Sequence, residues 1–213
     1  MTFYAFIQYY FYFCLINIEM KKINLLSSLL LILLSFMVST NPEGLKVNDK
    51  APNFSAKDQN GKTIVLNELL KKGSVVMVFY RGEWCPYCNK QLMELEDSLA
   101  LITSKEASII AVSPEKQENI TKTIQKTKAT YSIISDDSMK IMSAYKVAFE
   151  LDEQTNEKYK KWGINLSDKN GNNGNNLPVP AVYIINKEGK ITYRYFDVNY
   201  KNRVSVSEIL SHL

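Results

Sequence analysis

The chain has 213 residues, a length that suits one domain with a leader segment better than two domains. Its formal net charge is only +4 and its basic residues are scattered, so we expect no nucleic-acid-binding surface. Three cysteines and one histidine, the penultimate residue His212, give little support for Cys–His or Ser–His–Asp catalysis or for a four-ligand zinc site. We therefore expect neither a metal nor a cofactor.

Residues 1–40 have the pattern of a leader segment. Two apolar runs, 3–18 and 23–38, flank a short polar stretch that contains Met20. Read from Met20 as the natural start, the segment resembles a secretory signal peptide, because two lysines precede the apolar run and small or polar residues follow it. Each run has about 16 residues, fewer than the roughly 20 that span a bilayer, and an uncleaved anchor or a helical hairpin is the alternative. We expect an exported, periplasmic protein that contacts the membrane only through this segment.

Residues 47–213 are predicted to form one domain, which a polar linker over residues 41–46 joins to the leader. Strands are indicated by continuous apolar runs and helices by apolar residues at helical period. The Gly/Asn-rich loop 170–176 is predicted to be exposed and mobile. In chain order, the predicted elements are a hairpin of strands 54–56 and 63–65, a helix over 67–72, a strand over 74–80, a helix over 88–102, a strand over 108–112, a helix over 116–128, a strand over 132–134, helices over 139–145 and 152–162, a hairpin of strands 181–185 and 191–196, and a helix over 205–213.

This order of elements predicts the fold class. Strands that alternate with crossover helices are expected to lie parallel, and the late hairpin adds an antiparallel pair to the same sheet. The pattern is that of an α/β, thioredoxin-like fold: a central mixed sheet flanked by helices, with an N-terminal hairpin extension.

Cys85 and Cys88 lie in the run Trp84-Cys85-Pro86-Tyr87-Cys88, between a predicted strand and a predicted helix. A helix N-terminus stabilises a thiolate, which is the reactive form of cysteine. The spacing places both sulfur atoms on one side of the first turn, and Pro86 suits that turn because it has no amide N–H. The pattern predicts a redox-active dithiol in which Cys85 attacks and Cys88 resolves the product; a static disulfide is the alternative. Trp84 is predicted to border a substrate groove.

Three stretches of the chain resemble a known family. They are Lys50-Ala51-Pro52-Asn53-Phe54, the run 78–88, and the run 177–185. They resemble the AhpC/TSA branch of the thioredoxin superfamily, and more narrowly the peroxiredoxin-like proteins with an Arg-Gly-x-Trp-Cys-Pro-Tyr-Cys motif. The resemblance extends over about residues 47–213. It implies that Cys85 is the cysteine that attacks peroxide and that Tyr80 is the family tyrosine.

The chain departs from that family at two positions. Peroxiredoxins usually carry Thr or Ser three residues before the attacking cysteine, where this chain has Gly82. They also use an arginine just before a late strand, and the alignment of that strand places Pro180 there. Arg81 or Arg194 is the candidate substitute for this arginine.

Pro180 instead matches the thioredoxin pattern. In thioredoxin-type folds a cis-proline at this place faces the dithiol, and the preceding residue, here Val179, offers backbone hydrogen bonds to a substrate. Cys88 also fits that pattern, because thioredoxins resolve with the second cysteine of a Cys-x-x-Cys pair.

Two enzymatic interpretations therefore remain. In the first, Cys85 reduces a hydroperoxide and Cys88 resolves its sulfenic acid, which would contribute to antioxidant defence and redox homeostasis. In the second, the pair is a periplasmic protein-disulfide oxidoreductase. A non-catalytic binding module is the third hypothesis. In either enzyme, a thioredoxin-like or membrane thiol donor would reduce the dithiol again.

Two later segments have weaker signals. Residues 152–176 are an insertion that carries Tyr159 and Trp162, and it either covers the groove or is a surface helix with a core tryptophan, which is the favoured interpretation. Tyr200 and Arg203, after the last strand, are predicted to be structural.

Overall fold

The computed structural model of the protein describes residues 42–213. The predicted leader, residues 1–40 with Cys14, lies outside the described residues and stays a prediction. Within residues 42–213, every helix is too short or too polar to cross a bilayer. The segment predicted as a linker contributes Leu45 to the core, and the Leu45 N–H donates to the Tyr183 hydroxyl at 3.1 Å.

A five-stranded mixed sheet forms the centre of the domain. The chain enters through an antiparallel hairpin of β1 (Ser55–Lys57) and β2 (Thr63–Val65), as predicted. The strands of the central sheet are β3 (Ser74–Phe79), β4 (Ala107–Ser113), β5 (Ser132–Ser135), β8 (Ala181–Ile185) and β9 (Ile191–Phe196). Their spatial order is β5-β4-β3-β8-β9. β3, β4 and β5 are parallel, and β8 and β9 are antiparallel to their neighbours, which confirms the predicted fold class.

Helices cover both faces of this sheet. They are α1 (Leu66–Leu70), α2 (Pro86–Asp97), α3 (Leu99–Ser104), α4 (Gln117–Thr127), α5 (Lys140–Ala144), α6 (Glu153–Lys161), α7 (Leu166–Asn170) and α8 (Val206–Ser211). Because side chains alternate along a strand, β3 supplies both cores. Val76 and Val78 pack in the core that α2, α3, α4 and α8 cover, and Val75, Met77 and Phe79 pack in the core beneath α1 and α5.

Several details differ from the sequence-based expectation, among them the helix α7, which was not predicted. The helix predicted over 88–102 is two helices, because the backbone leaves the helical region at Ser98 (φ −105°, ψ 7°). A small antiparallel sheet of β6 (Ala148–Glu150) and β7 (Asn176–Pro178) was not predicted. Three residues are too few to show a strand period.

The Gly/Asn-rich loop is not the exposed segment that its composition predicts, whereas its predicted mobility stays a prediction. It ends α7 and forms a single 3₁₀ turn, Gly171–Asn173, in which Asn173 is only 4% exposed. The Asn173 side-chain amide donates to the carbonyl oxygens of Pro114 at 2.8 Å and Asp136 at 2.9 Å. Buried carbonyl groups need partners, and this amide supplies two of them. The prediction was wrong because asparagine side chains can replace backbone partners inside a protein.

We expect the Asn173→Ala variant to lose about 2 kcal/mol of unfolding free energy, because it leaves two buried carbonyl groups without a donor. Urea unfolding followed by circular dichroism measures this loss. Asn172→Ala is the matched control: Asn172 is exposed, and its loss should stay within about 0.5 kcal/mol. Equal stability of the two variants would show that the loop is not held in this way.

Candidate active site

The two cysteines lie where the buried strand β3 leads into α2. Cys85 is the residue before the first helical turn and has an extended backbone (φ −90°, ψ 109°). Its sulfur accepts a hydrogen bond from the Cys88 N–H at 3.4 Å, so it takes the place of a capping side-chain oxygen. Pro86 is the first helical residue, as the sequence predicts. The thiol therefore points at the unpaired N–H groups and the positive end of the helix.

Both cysteines are reduced thiols in this structure, and both are buried. Cys85 is 1% exposed and Cys88 is fully buried. A folded protein could reach such a sulfur only if the surrounding loop moved.

The two thiols differ strongly in acidity. The pKa of Cys85 is lowered to about 6, first by a hydrogen bond from the Cys88 thiol and further by the Cys88 N–H and the charges of Arg81 and Arg203, although burial opposes the shift. The pKa of Cys88 is raised well above its ordinary value by burial and by the neighbouring Cys85. At neutral pH the site therefore holds a Cys85 thiolate beside a Cys88 thiol, which assigns attack to Cys85 and resolution to Cys88.

Arg81 is the buried cation of the site. It is 3% exposed, and its guanidinium lies 4.2 Å from the ring centroid of Tyr200 and 5.0 Å from that of Trp84. It also donates to the Tyr159 hydroxyl. Aromatic faces stabilise a guanidinium, and within residues 42–213 Arg81 forms no salt bridge with a carboxylate. Its charge is therefore available to the Cys85 thiolate.

Arg203 is a second cation of the site that the sequence did not indicate. Its Nη2 donates to the Cys88 sulfur at 3.3 Å. Tyr200 and Arg203, for which the sequence predicts a structural role, both lie beside the dithiol loop. The register of the predicted hairpin could have indicated this position. Phe196 at the end of β9 pairs with Ala181, and Ala181 pairs with Phe79 at the end of β3, so the loop after β9 begins beside the end of β3.

Arg194, the other candidate substitute for the family arginine, is not at the dithiol. Its Nη2 donates to the Glu43 carbonyl at 2.6 Å, and its guanidinium lies 4.7 Å from the Phe196 ring. Arg194 on β9 is therefore hydrogen-bonded to the first residues of the domain.

The insertion covers one side of the site. Tyr159 on α6 is 6% exposed and meets Trp84 edge-on, with ring centroids 5.5 Å apart. Trp162 is 68% exposed, so the expectation of a core tryptophan was wrong: Tyr159 fills that position, one helical turn earlier. Trp84 contacts both Tyr159 and Arg81; its predicted place at the border of a substrate groove stays a prediction.

Gly82 stands where the family usually has Thr or Ser, and the structure gives the reason. A Cβ on Gly82 would lie 2.5 Å from the Trp84 Nε1 and 2.6 Å from the Glu115 Oε1, closer than real contacts allow. The other carboxylate oxygen, Oε2, accepts the Glu83 N–H at 2.8 Å. Glu115 thus occupies the space that a side chain at position 82 would need.

Glu83 anchors the cysteine loop. Its buried carboxylate pairs with Lys126 on α4 and with Lys169 on α7, the latter at 2.6 Å. Burial alone would raise the pKa of Glu83, but the two ammonium groups lower it below its usual value. The loop is therefore fixed to two helices by charge-assisted hydrogen bonds.

Pro180 does not have the conformation that the thioredoxin pattern predicts. None of the peptide bonds between residues 42 and 213 is cis. Pro180 continues the extended chain between β7 and β8, beside the end of β3 where Tyr80 lies buried. The Val179 N–H donates to the Val147 carbonyl at 2.8 Å, because the chain here pairs with the segment that leads into β6. Substrate contacts by Tyr80, Val179 and Pro180 stay predictions.

Comparisons with known proteins identify relatives of this chain. The sequence is 28% identical over 144 residues to a chloroplastic peroxiredoxin Q of Triticum aestivum. The matched region covers 68% of this chain but only 56% of the length of that relative. It is 26% identical over 161 residues to peroxiredoxin Bcp of Bacillus subtilis, a match that covers 76% of this chain and 91% of that relative. It is 24% identical over 155 residues to the thiol-disulfide oxidoreductase ResA of the same organism, a match that covers 72% of this chain and 69% of that relative.

Solved structures share the fold. The crystal structure of peroxidoxin BcpB from Mycobacterium tuberculosis matches 79% of this chain and 96% of its own, with a TM-score of 0.61 and 18% identity. PrxQ from Xylella fastidiosa matches 78% of this chain and 94% of its own, with a TM-score of 0.61 and 14% identity. The sequence model of the AhpC/TSA family matches residues 47–194, which include both cysteines and the whole central sheet except the end of β9. The chain belongs to the AhpC/TSA family.

Proposed function

We propose that this protein is a thiol-dependent peroxidase that reduces hydroperoxides at Cys85. The observation that carries the proposal is the combination of a strongly acidified Cys85 thiol with almost complete burial of its side chain. This combination suits a small, reactive oxidant better than a folded protein substrate. Relatives that bear the name peroxiredoxin support the same activity.

The catalytic cycle has three steps. The Cys85 thiolate attacks the terminal peroxide oxygen, the O–O bond breaks, and the alcohol or water leaves after it gains a proton. Cys85 becomes a sulfenic acid as the peroxide is reduced by two electrons. The Cys88 thiol then attacks the Cys85 sulfur, which forms a disulfide and releases water. A thioredoxin-type dithiol returns the pair to the reduced form by exchange.

Arg81 and Arg203 supply the positive charge that the family arginine would provide. Pro180 occupies the family position and carries no charge. The two guanidinium groups come instead from the cysteine loop and from the loop after β9, and both lower the pKa of Cys85.

A protein-disulfide oxidoreductase is the second candidate. The Cys-x-x-Cys spacing on the first turn of α2 favours it, as does the similarity to a protein named thiol-disulfide oxidoreductase. Its substrate would have to displace part of the loop to reach the Cys85 sulfur. A pure binding module has less support, because it needs neither an acidified thiol nor two arginines beside a dithiol.

We expect Cys85→Ser to lower peroxide consumption by at least roughly a thousandfold, because it removes the nucleophile. With a thioredoxin-type donor present, the wild type should turn over repeatedly, whereas Cys88→Ser should consume about one equivalent and then stop, since nothing resolves the sulfenic acid. Stopped-flow measurements with hydrogen peroxide and an alkyl hydroperoxide test this, and Cys14→Ser is the control for nonspecific thiol reactivity. If reduced wild type is no faster than free cysteine, while Cys88→Ser traps mixed disulfides with a disulfide-bonded protein, the second candidate replaces the first.

We expect the peroxide rate of the wild type to rise with pH with a midpoint of about 6, the pKa of Cys85. Arg203→Gln should move this midpoint up by about one unit, because the loss of a nearby positive charge disfavours the thiolate. The rate of this variant should fall at pH 6 and approach that of the wild type above pH 8. Arg194→Gln, which removes a distant guanidinium, is the control. If Arg203→Gln leaves the midpoint of the pH–rate profile unchanged, Arg203 does not lower the pKa of Cys85.

A further inference from the structure

Arg203 contacts the sulfur of Cys88, the cysteine that does not attack peroxide. Its Nη2 donates to the Cys88 Sγ at 3.3 Å. The other hydrogen bond that the guanidinium donates within residues 42–213 is a long one, 3.4 Å, to the Asn202 carbonyl, and its Nε has no partner there. A guanidinium is a permanent cation that can only donate. The contact is therefore suited to a Cys88 sulfur that bears negative charge.

The loop after β9 holds Arg203 in this position. Both carboxylate oxygens of Asp197 accept hydrogen bonds at 2.8 Å, one from the Asn199 N–H and one from the Asn202 side-chain amide. The Asn202 N–H also donates to the Asn199 carbonyl at 2.9 Å. Val204, the residue after Arg203, is buried and packs in the core that α2 covers. The guanidinium is thus carried by a turn that has its own hydrogen bonds and a buried end.

The disulfide of the proposed cycle contains two sulfur atoms that differ as leaving groups. In thiol–disulfide exchange, the thiol of lower pKa leaves faster. The pKa of Cys85 is about 6, whereas burial raises that of Cys88 well above its ordinary value. An attack that expels Cys88 therefore depends on a group that stabilises the Cys88 thiolate.

The position of the two cysteines nevertheless favours attack on Cys85. Cys88 is fully buried and is the deeper of the two. The chain neighbours of Cys85 reach the surface, because Pro86 is exposed and Trp84 is half-buried. A dithiol that approaches from solvent therefore meets the Cys85 sulfur first, and Cys88 is then the sulfur that must leave.

We infer that Arg203 is a catalytic residue of the reduction step, in which its Nη2 stabilises the Cys88 thiolate as Cys88 leaves the disulfide. The inference rests on the proposed function, because this step completes the proposed cycle. One thiolate of the donor dithiol bonds to the Cys85 sulfur, the Cys85–Cys88 bond breaks, and its electron pair stays on the Cys88 sulfur. Cys88 then takes up one of the protons that the donor thiols release. The second donor thiolate attacks the first donor sulfur, which expels the Cys85 thiolate and leaves the donor as a disulfide.

Reduction of the preformed disulfide tests the inference. Diamide converts the Cys14→Ser chain to its Cys85–Cys88 disulfide without peroxide, and dithiothreitol then reduces it. Acid quenching, alkylation and mass spectrometry measure the rate. We expect Arg203→Gln to be reduced roughly tenfold more slowly, because the leaving thiolate loses a charge-assisted hydrogen bond. Arg194→Gln, which removes a guanidinium away from the dithiol, should match the parent chain.

A second reaction separates the leaving-group role from electrostatic attraction of the attacking thiolate and from a structural role. In a Cys14→Ser, Cys88→Ala background, Cys85 is converted to its mixed disulfide with nitrothiobenzoate, and dithiothreitol expels the coloured nitrothiobenzoate. Cys88 is not the leaving group here, so Arg203→Gln should change this rate by less than about twofold. If Arg203 attracted the incoming thiolate or only held the loop, both reactions would slow equally.

The site of attack is a third readout. When a monothiol replaces dithiothreitol, acid quenching and peptide mapping locate the mixed disulfide, which we expect on Cys85. If Arg203→Gln does not fold, Arg203→Lys decides, because it keeps the charge but not the planar fork. Its disulfide reduction should be slowed more than its nitrothiobenzoate release.

Reduction of the Arg203→Gln disulfide at the rate of the parent chain would overturn the inference. So would equal slowing of the two reactions in the variant that folds, or a monothiol adduct on Cys88. If peroxide forms no Cys85–Cys88 disulfide in the wild type, while the diamide-oxidised proteins give the expected rates, the proposed peroxidase function fails instead. The two failures are thereby distinguished.

Discussion

The hydrogen bond from the Cys88 N–H to the Cys85 sulfur is the interaction on which the site depends. This hydrogen bond forms because a short loop joins the end of β3 to the start of α2 and places the Cys85 sulfur at the helix N-terminus. Buried side chains on both faces of β3 fix the strand, and the Glu83 pairs with Lys126 and Lys169 fix the loop. The reactive sulfur is thus positioned by the core of the domain rather than by its surface.

The sheet register then brings the other charges to the same place. β3 and β4 are parallel, so the Cys85 loop and Glu115 emerge at the same edge of the sheet. β9 is antiparallel to β8, so the loop that carries Arg203 returns to that edge. Gly82 and Pro180 lack the side-chain groups that the family usually has at these positions. Gly82 leaves room for the Glu115 carboxyl, and Arg81 and Arg203 provide positive charge near Cys85 where Pro180 cannot.

The sequence predicted the parts of this arrangement that depend on patterns. Continuous apolar runs identified the central strands, and the spacing of Cys85 and Cys88 before a helical period identified the dithiol. Arg203 and Glu115 could not be identified in the same way, because single polar residues in loops have no period and their direction depends on strand register. Asn173 was misjudged for a related reason: composition describes an average loop, whereas burial is decided by what the loop packs against.

The central claim is that one buried thiol is ionised at neutral pH and its neighbour is not. Titration of the thiolate absorbance near 240 nm in the reduced Cys14→Ser protein, with Cys88→Ser and Cys85→Ser added to assign each step, tests it most directly. The account predicts one thiolate that forms with a midpoint of about 6 and belongs to Cys85, and a second that forms only well above pH 9. Two thiols that titrate together near the ordinary cysteine pKa, or a Cys88 that ionises first, would contradict it.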